Sequence, residues 1–75
     1  MKYQIDGFCE SVVVTCTELS AFRLIKNAML ESLQRDIDDE CSEERIREIA
    51  QELLNEVLQA DSIDNLRLSA DIYEV

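Results

Sequence analysis

The chain has 75 residues, a formal net charge of −10, 47% hydrophobic residues, one Gly, no Pro, no His and no Trp. That length supports one small core and leaves no room for linkers, and the hydrophobic content argues against disorder despite the charge. A surface this acidic repels nucleic acid and anionic lipid, so neither is expected as a direct partner; its complement is a basic protein surface.

Residues 2–16 read as a β-hairpin. Asp6-Gly7 is the signal for a type I′ turn, whose two central residues take positive φ. A two-residue turn there pairs Ile5 with Phe8 and Tyr3 with Glu10. One face then carries Met1, Tyr3, Ile5, Phe8, Val12, Val14 and Cys16, interrupted by Glu10. The other carries Lys2, Gln4, Cys9, Ser11, Val13 and Thr15, the one-sided pattern of an antiparallel sheet. A single bent strand with Gly7 as a bulge is the alternative.

The first helix is predicted over 18–37. Thr15 and Glu18 have capping-box spacing, with Thr17 as a competing N-cap. Leu19, Phe22, Ile25, Met29, Leu33 and Ile37 form the main apolar stripe, with Leu30 beside it and Lys26 snorkelling at its edge. Ala21, Leu24 and Ala28 form a second stripe. It either packs against the second helix or meets a second copy of the chain, since small residues let helices approach closely.

An acidic turn follows at 38–41. Asp36, Asp38, Asp39, Glu40, Glu43 and Glu44 place six carboxylates within nine residues. Asp36-Ile-Asp38-Asp-Glu40 resembles the start of an EF-hand loop, but the sixth position is Cys41 where the loop needs Gly. The twelfth is Arg47 where it needs Glu, so no dedicated metal site is expected. The second helix is predicted over 43–60, with Ser42 as N-cap and Glu43 and Glu44 suiting the helix dipole. Ile46, Ile49, Ala50, Leu53, Val57 and Ala60 face the core. Glu44, Glu48, Glu52 and Glu56 form a ladder four residues apart, a carboxylate roughly every 6 Å along the axis. Like charges at that spacing cost a helix about 0.2–0.5 kcal/mol per pair. Arg45 and Arg47 can offset the first rungs; Glu52 and Glu56 have no base three or four residues away.

Asp61, Ser62, Asp64 and Asn65 read as a turn. Over 66–74, Leu66, Leu68, Ala70 and Ile72 alternate with Arg67, Ser69, Asp71 and Tyr73, a half-buried strand. The expected fold is therefore α+β: a single two-layer domain in ββααβ order. It has a three-stranded antiparallel sheet and two antiparallel helices on one face. Because a helical hairpin returns the chain to the end it left, the last strand is expected beside the second, in sheet order 1-2-3.

Catalytic chemistry is not expected. Ser and Cys nucleophiles lack an imidazole base, and the one Gly cannot build a phosphate loop, so neither an enzyme nor a cofactor site is indicated. Three Cys (Cys9, Cys16, Cys41), no Cys-x-x-Cys pair and no signal peptide point to free thiols in a reducing, cytoplasmic setting. The longest aliphatic run is Val12 to Val14, far short of a membrane span.

What remains is surface. The carboxylates at Asp36, Asp38, Asp39, Glu40, Glu44, Glu48, Glu52 and Glu56 could occupy an Arg/Lys groove as phosphates do, making the chain an acidic inhibitor or nucleic-acid mimic. Alternatively, the charge serves solubility and the chain is a homodimeric structural or adaptor module joined through Ala21, Leu24 and Ala28. In size, charge and missing catalytic residues it is similar in type to phage-encoded inhibitors of host defence, such as anti-CRISPR or anti-restriction proteins. That likeness is one of composition and carries no residues across.

Overall fold

The computed structural model describes residues 1–7, 11–41 and 43–75. The elements are β1 (Lys2–Asp6), β2 (Ser11–Thr15), α1 (Ala21–Asp38), α2 (Glu44–Gln59), α3 (Ile63–Leu66) and β3 (Asp71–Glu74). The α+β architecture and the ββααβ order of the main elements are as expected, with a short extra helix before the last strand. The sheet forms one layer; α1 lies over β1 and β2, and α2 packs against α1.

The hairpin register differs from the expectation. Ile5 pairs with Val12 and Tyr3 with Val14, four residues beyond Phe8 and Glu10 respectively. The ladder closes at Asp6 and Ser11, and no described residue, Gly7 included, has positive φ. A type I′ turn at Asp6-Gly7 is thereby excluded. Because the shift is an even number of residues, the faces survive it: Tyr3, Ile5, Val12 and Val14 still share one side. Phe8, Cys9, Glu10 and Ser42, the expected N-cap of the second helix, lie outside the described residues; the N-cap position of α2 is taken by Glu43, with no side-chain cap bond.

The first helix starts at Ala21, not at Glu18. Thr15 belongs to β2, so the Thr15–Glu18 box does not form. Thr17 instead closes a turn reciprocally with Ser20: its N–H donates to Ser20 Oγ (3.1 Å), and the Ser20 N–H donates to Thr17 Oγ1 (3.3 Å). Leu19 falls in this turn, 99% exposed, and is no part of the apolar stripe.

Each long helix has its C-terminal end closed by a base from the other. Lys26 Nζ donates to the carbonyls of Leu58 (3.0 Å) and Ala60 (2.8 Å), and lies 5.5 Å from the centroid of the Phe22 ring. Arg47 Nε donates to the Ile37 carbonyl (3.0 Å) near the end of α1. Positive charge at a helix C-terminus opposes the macrodipole and satisfies carbonyls left without an intrahelical donor. These two contacts also fix the helices as antiparallel.

The last segment is where the expectation fails most. Residues 66–74 do not form one strand. Ser62 Oγ accepts from the Asn65 N–H (3.2 Å), and this cap starts the single turn of α3. Leu66 is fully buried while Leu68 is 84% exposed, which alternation on one strand face could not produce. The added reversal brings the chain to the Asp6 end of the sheet, where Asp71 pairs with Asp6 and Ile72 with Ile5. The strand order is consequently β2-β1-β3, not 1-2-3, with β3 antiparallel to β1. Ile25, Val57 and Leu66 are the largest fully buried side chains, and Ile5, Met29, Leu33 and Ile72 complete the centre of the core.

Candidate functional site

The ladder Glu44, Glu48, Glu52 and Glu56 is exposed along its whole length. At 100° per residue each step of four advances about 40°, so the four carboxylates wrap about 120° around α2. Glu48 and Glu52 stand opposite the buried Ala50 and Val57; Glu44 and Glu56 sit to either side. Glu56 accepts from Ser69 Oγ (3.3 Å), which ties the C-terminal rung to the segment before β3. Among the described residues no donor reaches Glu44, Glu48 or Glu52.

Three bases are engaged elsewhere. Arg47, expected to offset the first rungs, is turned toward the end of α1. Lys26 closes α2, and Arg67 bridges the Asp64 carboxylate (3.0 Å) and the Ile72 carbonyl (3.3 Å). Arg45, exposed on α2 three residues before Glu48, is the base left beside the first rungs, and none lies within four residues of Glu52 or Glu56 along the helix.

The acidic turn is more structural than the sequence suggests. Asp39 is the C-cap residue of α1, and its Oδ1 accepts from the Cys41 N–H (2.9 Å), an Asx-turn that carries the chain out of the helix. Asp38 accepts from Gln34 Nε2 (3.0 Å) one turn back along α1. Asp36 is half-buried, and its Oδ2 is inaccessible with no donor among the described residues. Glu40 is exposed. Of the turn carboxylates, Asp38, Asp39 and Glu40 face solvent with the ladder; Asp36 does not. Among the described residues no group of three metal-ligating side chains converges.

The stripe expected to meet a partner divides. Ala21 is 1% exposed, packed in the chain's own core, and has no surface to offer. Leu24 and Ala28 are half-buried at the core's edge. Leu24 lies two residues, about 160° around the helix, from Lys26, whose ammonium reaches α2, so Leu24 is on the flank that α2 leaves open. Cys16 is a buried free thiol and Cys41 an exposed one.

Sequence reasoning passed over a second polar cluster, on the solvent face of the sheet. Asp6 accepts from Gln4 Nε2 (3.0 Å), from Ser11 Oγ and from the Tyr73 hydroxyl (3.0 Å), so one carboxylate joins all three strands. Hydrogen bonds from Ser11, Gln4 and Tyr73 hold the Asp6 carboxyl below its ordinary value, and the bond to Asp6 pushes the Tyr73 phenol up. Reading Asp6 as a turn residue concealed it; its parity with Gln4, Ser11 and Tyr73 was the available signal. No described helix is long and apolar enough to cross a membrane.

No protein family, curated protein or solved structure matches this chain.

Proposed function

We propose that the chain works by binding a basic protein surface through the outward face of α2, as an acidic inhibitor that fills a groove shaped for nucleic acid. The observation that carries this reading is the lack of compensation at Glu52: exposed, opposite the core, with no base three or four residues away and no donor among the described residues. A face kept only for solubility gains nothing from leaving its rungs unpaired, since an opposite charge one turn away adds helix stability at no loss of hydration. Asp38, Asp39 and Glu40 extend the charge past the N-terminal end of α2. Phage-type inhibitors of host defence are the class of protein this describes, and the free thiols of Cys16 and Cys41 suit a cytoplasmic site of action.

The test is competition. The chain is immobilised, nucleic-acid-binding proteins from a lysate are captured at low salt, and elution by duplex DNA is compared with elution by salt. A mimic releases its partner to both, because both compete for the same basic groove. Retention of the captured proteins through excess duplex DNA contradicts the reading.

A second reading, a homodimeric module whose charge is only solubilising, is favoured by the open flank of α1 at Leu24 and Ala28.

A further inference from the structure

The two edges of the sheet, β2 and β3, are finished differently. The Cys16 N–H donates to the Met1 carbonyl (2.9 Å), in line with the register that pairs Tyr3 with Val14. Hydrogen-bonded and non-bonded pairs alternate along an antiparallel ladder, so Val12 and Val14 bond to β1 while Ser11, Val13 and Thr15 direct their N–H and C=O groups away from it. On the other side the Val75 N–H donates to the Lys2 carbonyl (2.9 Å), which leaves Ile72 and Glu74 pointing outward from β3. That edge is guarded: Arg67 Nε donates to the outward Ile72 carbonyl, and Asp71 and Glu74 bring charge to the strand.

Among the described residues β2 has no such guard. Its sequence, Ser-Val-Val-Val-Thr, carries no charge and no Pro in a chain of net charge −10. Among the described residues nothing bonds to the outward groups of Ser11, Val13 or Thr15. Strand edges of monomeric proteins are commonly blunted by Lys, Pro, a bulge or a covering segment; a neutral, β-branched edge is a template for another strand.

We propose that the occupant is a second copy of this chain, paired antiparallel through β2 about a two-fold axis at Val13, which makes one continuous six-stranded sheet. This interface is independent of the acidic face of α2. In this register Val13 meets the partner's Val13, and Ser11 meets the partner's Thr15. Those are the residues whose groups face the edge, and they exchange up to about six N–H···O bonds. Val12 then falls opposite the partner's Val14 in a non-bonded pair, where side chains approach most closely. Both valines face the core and are half-buried because no strand covers their outer side.

The helices agree with this geometry. α1 lies over β1 and β2, and strands are about 4.8 Å apart, so the two-fold sets the two α1 axes about 10 Å apart. That is close to the packing distance of helices, about 8–10 Å. The flank they present is that of Leu24 and Ala28, the latter lining the same cavity as Val12. A standard interface buries about 800 Å² per partner, about one-sixth of the 5032 Å² of this chain, so the strand needs this flank to complete the contact. The two α2 helices remain on the far sides, which keeps the acidic ladders away from the seam.

The test is sedimentation equilibrium of the full chain at about 50 µM, with amide hydrogen exchange on the same sample. The expected mass is twice the chain's 8.6 kDa, with slow exchange at Ser11, Val13 and Thr15. Val13→Pro removes an N–H that β1 does not use, so it should keep the far-UV spectrum, halve the mass and free the Ser11 and Thr15 amides. Should that variant fail to fold, Val13→Lys keeps the N–H, sets like charges at the two-fold and should likewise be a monomer. A monomeric parent, an open-ended assembly, a dimer in which those amides exchange fast, or a Val13→Lys variant that remains a dimer each overturns the proposal.

Discussion

Lys26→Met tests how the two helices are held together. Methionine keeps the apolar stem and removes the ammonium, and with it the bonds to the Leu58 and Ala60 carbonyls at 3.0 and 2.8 Å and the contact with the Phe22 ring. A hydrogen bond to a charged group is worth about 1.5–3 kcal/mol when desolvated. Lys26 is only half-buried, and water can reach carbonyls at a helix end, so the two bonds together should contribute about 2 kcal/mol. In a chain of this size 1 kcal/mol moves Tm by about 4–8 °C, so the variant should melt roughly 8–16 °C below the parent by circular dichroism. A Tm within about 2 °C of the parent would refute the claim that Lys26 closes α2.

Two further predictions address the rest of the fold. Leu66→Ala should cost about 2–5 kcal/mol, while Leu68→Ser leaves the urea midpoint unchanged; similar losses at both would restore a continuous strand over 66–74. Asp6 titrates below its ordinary 3.8, so it contributes stability that is complete above that pH and is lost as the pH falls through the depressed value. Tyr73→Phe removes one of the three donors responsible and should raise the midpoint of acid unfolding; superimposable acid profiles would dismiss the network.

What the sequence made legible follows from periodicity. Ile25, Met29, Leu33, Ala50 and Val57 recur at helical spacing and are buried, and the inward set Tyr3, Ile5, Val12 and Val14 survived a four-residue error in register because parity is insensitive to even shifts. The loop length was lost because Asp-Gly is a strong local signal and the ladder answers to contacts along the whole strand. The sheet order was lost for a related reason. Ser62-Ile-Asp-Asn65 has the composition of a turn, and only a cap bond separates a turn from one turn of helix. That one helical turn reverses the chain and sends β3 to the other side of β1. Of the candidate site, the exposure of the ladder could be read from the wheel of α2. That Arg47 turns to α1, that Asp39 serves the Cys41 amide and that Ala21 lies in the core could not, because each depends on how two elements meet.

The acidic face of α2 is the centre of the functional account, and Glu48→Gln, Glu52→Gln and Glu56→Gln combined test it. All three side chains are exposed and lie off the core stripe, so the fold should persist. Relief of like-charge repulsion should raise stability by about 0.5–1 kcal/mol. The deciding measurement is the affinity of the parent and of the triple variant, across a series of salt concentrations, for a basic partner captured by the parent. The account predicts weaker binding and a flatter salt dependence for the variant, because fewer charges engage the groove. Unchanged affinity and an unchanged salt slope, in a variant that is more stable, would contradict it and leave α2 with a solvating face alone.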